Sequence, residues 1–210
     1  MAKKTSTRGA RDERSARLAQ LKREQQAAER KRRLASYGAG GLVIALILGV
    51  VAFVIIREQM NKPDLSAVKS YDYTGSQHTS EAVKYKENPP VGGEHNPAWL
   101  NCGIYDSPVP SENAVHSLEH GAVWITYPED LPEADVKKLE DETPDTYAIL
   151  SPYKGIDTVF VSGWGKQLEL TGADDNRLGA FVKEYRQSPQ VPEPGAACTG
   201  GTDGTDDLVK

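Results

Sequence analysis

The chain of 210 residues lacks the signatures of the commonest enzyme sites. It has no G-x-S-x-G, no P-loop and no G-x-G-x-x-G at a strand-to-helix junction, so no motif exposes a serine or cradles a phosphate. No internal repeat is present. Cysteine is scarce: Cys102 and Cys198 are the two in the chain. A composition of 38% hydrophobic and 26% charged residues excludes a collagen-like or wholly disordered chain. Charge is missing from one stretch altogether, the twenty residues Tyr37–Ile56 (YGAGGLVIALILGVVAFVII). That gap argues against a simple soluble enzyme.

As a helix, such a run rises about 30 Å, the thickness of a bilayer's hydrocarbon core. An unbroken helix also satisfies its own backbone hydrogen bonds in lipid. The run is too long for the apolar region of a signal peptide, and Arg57-Glu58-Gln59-Met60 follows it in place of a cleavage site. The expectation is an uncleaved transmembrane helix over residues 37–57.

Charge is divided unequally around this run. Residues 1–37 carry twelve Lys and Arg against four acids, a net of +8, and the remainder carries thirteen basic and twenty-six acidic residues, a net of −13. Close to the run, Lys22, Arg23, Arg30, Lys31, Arg32 and Arg33 stand against Arg57, Lys62 and Lys69. The basic excess predicts a single-pass protein of the cell membrane with its N-terminus in the cytoplasm and its C-terminal domain extracytoplasmic. The basic arm, residues 1–36, has helix-forming composition. It has neither interleaved aromatics nor a recognisable binding module, so its expected partner is membrane lipid and not nucleic acid.

After the run, residues 58–72 read as a stalk containing Pro63, 73–198 as one domain and 199–210 as a flexible acidic tail. Within the domain the patterns predict a strand at Ala82–Tyr85, a helix at Glu112–His120 capped by Ser111 and stopped by Gly121, and a strand at Ala122–Tyr127. A helix over Pro132–Glu142 and strands at Tyr147–Leu150 and Thr158–Ser162 follow. Gly163-Trp164-Gly165 reads as a hairpin turn into Lys166–Leu170. Leu178, Phe181, Val182 and Tyr185 mark an amphipathic helix over Asp174–Arg186. The expected fold class is α+β, a small domain with a mainly antiparallel sheet and a few helices, preceded by one transmembrane helix.

On an oxidising side of the membrane, Cys102 and Cys198 read first as a disulfide. It would close a loop of about a hundred residues and stabilise by about 2–4 kcal/mol. The alternative makes Cys102 a nucleophile or a metal ligand.

All four histidines, His78, His95, His116 and His120, lie after the apolar run. His116 and His120 are four apart in Val115-His116-Ser117-Leu118-Glu119-His120, so on a helix they share a face and can meet one ion. The turn-rich Gly92-Gly93-Glu94-His95-Asn96-Pro97 can carry His95 to the same place, with His78 as a further ligand. Zinc or copper suits such imidazoles. The same letters match H-x-x-E-H, in which Glu119 would be the general base of a metal-dependent hydrolase. Against that, Gly121 and the strand-like segment after it leave room for only a short helix. The plainest alternative is structural: imidazoles bonded to backbone at a helix-to-strand corner.

The strings from Pro89 to Tyr105 (PPVGGEHNPAWLNCGIY) and from Val109 to Gly121 (VPSENAVHSLEHG) resemble the domain of unknown function 3105 family, membrane-anchored bacterial domains common in actinobacteria. The resemblance spans roughly residues 70–198. It implies an anchored outer domain with Cys102 and the His116–His120 corner as signature features, and it supplies no activity, substrate or cofactor. The reading is of a non-enzymatic binding or assembly domain that holds a transition metal and contacts another envelope or membrane protein. The hydrolase is the alternative.

Overall fold

The computed structural model describes residues 6–60 and 63–204. The parts of the basic arm, stalk and acidic tail that fall at 1–5, 61–62 and 205–210 lie outside the described residues. The chain divides into two compact units, Met1–Lys62 and Pro63–Lys210.

The first unit is one helix, α1, Ser6–Met60. Ala, Arg, Glu, Gln and Lys favour it over the arm, and the apolar run continues it without interruption. Its Gly40–Arg57 segment is long and apolar enough to cross a membrane. Apart from Ile104, every large apolar side chain exposed among the described residues lies on this helix.

The second unit is a six-stranded mixed sheet with helices packed on it. Its elements are β1 (Lys69–Ser70), β2 (Gly103–Ile104), α2 (Ser111–Glu119), β3 (Val123–Pro128), α3 (Glu133–Glu142), β4 (Ala148–Tyr153), β5 (Phe160–Gly163), β6 (Lys166–Glu169) and α4 (Arg177–Tyr185). The strand order is β1-β6-β5-β3-β4-β2. The fold is α+β, as expected. Three of the five pairings are antiparallel, including the β5–β6 hairpin, while β4 runs parallel to both β3 and β2. The parallel pair β3–β4 follows from α3 lying between them in the chain, because a crossover helix returns the second strand in the same direction.

β3 is buried along its whole length, because both of its faces are covered. Val123, Ile125 and Tyr127 pack with Leu139 of α3 and with Leu178, Phe181 and Val182 of α4. Trp124 points the other way, onto Ala114 and Leu118 of α2, as side chains alternate across a strand. Its indole N–H donates to Ser151 Oγ at 3.0 Å, so the buried polar group is satisfied.

Four local expectations change. Ala82–Tyr85 is not a strand: the Val83 N–H is spent on Glu112 Oε1 at 2.9 Å, leaving no ladder to join. The N-cap of α2 is Pro110, not Ser111. The fixed φ of proline already sets the direction in which the chain enters the helix. α4 begins later than Asp174, because Asp175 accepts the Arg177 N–H and holds the preceding residues in a turn. At the sheet edge, Lys69–Ser70 of the expected stalk pairs with β6, while Leu65 and Val68 pack on the core.

The end of the described chain is held closely. Cys102 and Cys198 form a disulfide with Cα atoms 5.4 Å apart. Residues 199–204, expected within a flexible tail, run beside the 99–102 segment: Thr202 N–H donates to Trp99 O and Asn101 N–H to Thr202 O. Asn101 Nδ2 also donates to Asp203 Oδ1 at 2.6 Å. A backbone ladder needs no apolar pattern, which is why composition alone pointed to a loose tail.

Candidate metal centre

Four segments converge at the C-terminal end of α2. The helix supplies His116 and Glu119, and His120 is its C-cap residue, whose N–H donates to His116 O. Gly121 follows with φ +99, a left-handed conformation that ends the helix and turns the chain into β3. The Pro89–Gly93 turn delivers His95, with Gly93 at φ +105. The loop around His78 is drawn to it by backbone pairing: Thr79 N–H donates to His95 O, and His95 N–H to Gln77 O. The tail brings Glu193, whose N–H donates to Glu119 O.

The imidazoles pack closely. Ring centroids are 4.9 Å apart for each pair among His78, His95 and His116, and 4.5 Å for His116 and His120. Trp164 meets the His95 ring edge-on at 5.8 Å, and Trp99 leans over His120 at 5.3 Å. His95, His116, Glu119 and His120 are all buried.

Backbone carbonyls orient three of the rings. His95 Nδ1 lies 2.7 Å from Gly93 O, His116 Nδ1 2.6 Å from Asn96 O, and His120 Nδ1 2.6 Å from Ala197 O. A carbonyl can only accept, so each Nδ1 carries the proton and each Nε2 of a neutral ring presents a lone pair. Metal-ligating histidines are held in this way. Burial pushes His116 down to about 4 against the pull of the Asn96 carbonyl, and its histidine neighbours add to the effect. At neutral pH its Nε2 is therefore free of a proton.

Glu119 is the unusual member. It is completely buried, and one oxygen, Oε1, accepts the Ser76 N–H at 2.6 Å. Ser76 adopts φ +59 there, uncommon for a residue with a side chain. The other oxygen, Oε2, lies 2.9 Å from His95 Nε2. Among the described residues, neither of these two buried atoms has a hydrogen-bond partner. They are close, yet not aligned to share a proton. Two donor atoms bound to one ion at about 2.1 Å each stand about 3.0 Å apart at the right angle of tetragonal Cu²⁺ and about 3.4 Å apart at the tetrahedral angle of Zn²⁺.

His78, His95, His116 and Glu119 offer ligand atoms that all lie within 4.8 Å of one another, and His116, His120 and Glu193 form a second such group. The structure thus places His95 and His116 beside His78, the further ligand named in the sequence, and adds Glu119 to them. His120 falls in the second group, with Nε2 3.4 Å from Glu193 Oε2. Glu119 is completely buried among these ligand atoms. The neighbouring cleft of about 410 Å³ is lined by Tyr71, Tyr73, Trp164, Lys166 and Tyr185, among others, and by none of the histidines. Glu193 went unnoticed in sequence because it sits in a Pro- and Gly-rich tail with no periodic pattern.

A family model described as "Protein of unknown function (DUF3105)" matches residues 76–200. That span contains every residue of both groups. No curated protein and no solved structure matches the chain.

Proposed function

The chain belongs to the DUF3105 family, and we propose that its second unit is an extracytoplasmic domain that binds one divalent transition-metal ion, carried on a single-pass membrane anchor. The observation that supports metal binding is the pair of buried, unpartnered atoms, His95 Nε2 and Glu119 Oε2, each held in place by a bond on its other side. An unpaired carboxylate oxygen and an unpaired imidazole nitrogen, both away from water, are costly unless a cation joins them.

The donor set narrows the ion. Both cysteines are joined in the disulfide, and the chain has only Met1 and Met60 as thioethers. Imidazole and carboxylate without thiolate suit Zn²⁺ or Cu²⁺ and disfavour Cu⁺. Glu119 is assigned to the ion as a ligand. As the base of a hydrolase it would need an open face, and its burial and its bond to Ser76 count against that role.

For location, the apolar segment of α1, the basic arm before it and a disulfide in the second unit support an anchored domain outside the cytoplasm. Its surface would then be available to another envelope or membrane protein.

The test is metal analysis of the full-length chain in detergent, stripped and then titrated with Zn²⁺ or Cu²⁺. One bound ion per chain is expected, and His95→Ala should lower the affinity at least about tenfold. Absence of stoichiometric binding of either ion would sink the proposal.

A further inference from the structure

The four ligands of the first group are not held alike. His95 and His116 are buried, and each has its Nδ1 tied to a backbone carbonyl, Gly93 O and Asn96 O. Glu119 is buried and tied to the Ser76 N–H. His78 differs on both counts. Its side chain is 38% exposed, and among the described residues no hydrogen bond orients its ring. A bond on the far nitrogen strengthens a histidine as a ligand by about tenfold or more, so His78 is the weakest of the set.

Its position agrees. His78 Nε2 stands 4.0 Å from Glu119 Oε2, whereas two atoms bound to one ion at about 2.1 Å each can be no more than about 4.2 Å apart. His95 Nε2 stands 2.9 Å from the same oxygen. The main chain at His78 is nevertheless fixed, because Thr79 N–H donates to His95 O and His95 N–H to Gln77 O. The imidazole can thus swing into water on its own torsions while the loop stays paired.

We infer that His78 is the exchangeable ligand of the centre, and that the ion passes to or from another protein through a histidine that takes the place of His78. This rests on the metal-binding reading above. Loss of the ion straight to water strips Glu119, His95 and His116 of it together, which leaves uncompensated charge inside the protein. An incoming imidazole enters at the exposed side while the three buried ligands keep their hold. One metal–nitrogen bond forms as another breaks; both imidazoles are neutral, and the ion keeps its oxidation state. Charge selects the incoming group. The chain beyond residue 37 carries twenty-six acids against thirteen basic residues, which repels carboxylates and thiolates. A neutral imidazole is not repelled, and it suits the same ions.

The experiment loads the full-length chain in detergent with Zn²⁺ or Cu²⁺, whichever binds more tightly. The ion's movement to an excess of a synthetic histidine-bearing peptide is followed by separating chain from peptide at timed intervals and assaying the metal. The transfer rate should rise in proportion to peptide concentration. A rate that is the same at every concentration means that the ion leaves to water first, and it would overturn the exchange. In His78→Gly the affinity should fall at least about tenfold, and added free imidazole should restore it to within about threefold of the unaltered chain. Acetate should not restore it, and neither should imidazole in His95→Gly, whose place is buried. His78→Ser serves if His78→Gly fails to fold. No restoration at position 78, restoration there by acetate, or equal restoration in His95→Gly would each overturn the proposal while leaving metal binding intact. Failure of the unaltered protein to bind either ion would overturn the metal-binding reading itself.

Discussion

A methyl group at position 75 would overlap Pro192 and Oε1 of Glu119. Proline cannot swing aside as a lysine would, so Gly75→Ala has to move either the tail or the carboxylate. Zn²⁺ affinity of the full-length chain should fall about tenfold in this variant, without loss of the tryptophan fluorescence of the folded domain. Unaltered affinity would mean that the tail gives way at Pro192 and the carboxylate keeps its place. At this scale the sequence was informative about spacing and silent about partners. The i, i+4 relation of His116 and His120 was legible because helix geometry alone places them on one face. The joining of His78 to His95 was not, because it depends on a backbone pairing between segments that carry no periodic signal. Glu119 drew attention as a base in H-x-x-E-H. Its proposed role as a ligand depends on Ser76, forty-three positions earlier in the chain.

Each helix shows how local chemistry sets the boundaries of an element. Before α4, Asp175 accepts from the Arg177 guanidinium, from Arg177 N–H and from Thr171 N–H and Oγ1. The guanidinium beside it holds its carboxyl well below the usual carboxylate range, outweighing the opposite effect of burial. The folded state thus binds this proton less readily than the unfolded state. Its stabilisation is complete above the unfolded value near 4 and is lost as pH falls through and below it. Thermal unfolding, followed by fluorescence of Trp99, Trp124 and Trp164, should shift to lower temperature below about pH 4. Asp175→Asn should cost about 1–2 kcal/mol at pH 7 and flatten that acid limb. The strands were legible wherever β-branched and aromatic residues clustered, as in Ala122–Tyr127. Their directions were less so, although strand, helix and strand in succession over 122–150 already carried the order from which a parallel pair arises. The hairpin at Gly163–Gly165 was readable because its turn chemistry is local.

For the whole molecule, the proposed topology predicts that labelling or protease treatment of intact cells reaches the second unit and spares the basic arm. The reverse pattern would refute it. The disulfide is a second connection at this scale, joining residues 96 apart. Cys102→Ser with Cys198→Ser should lower stability by about 2–4 kcal/mol. It should also weaken Zn²⁺ retention, because Ala197 O orients His120 and lies next to Cys198. Retention equal to that of the unaltered chain would show that the tail stays docked by its backbone bonds alone. Those bonds also have a consequence in time. During synthesis the chain emerges from its N-terminus, so His78, His95, His116 and Glu119 all precede the residues that close around them. Glu193, Ala197 and Cys198 follow Glu119 by more than seventy positions. An ion captured early meets an open ligand set, and the segment that shuts over it arrives only later in synthesis.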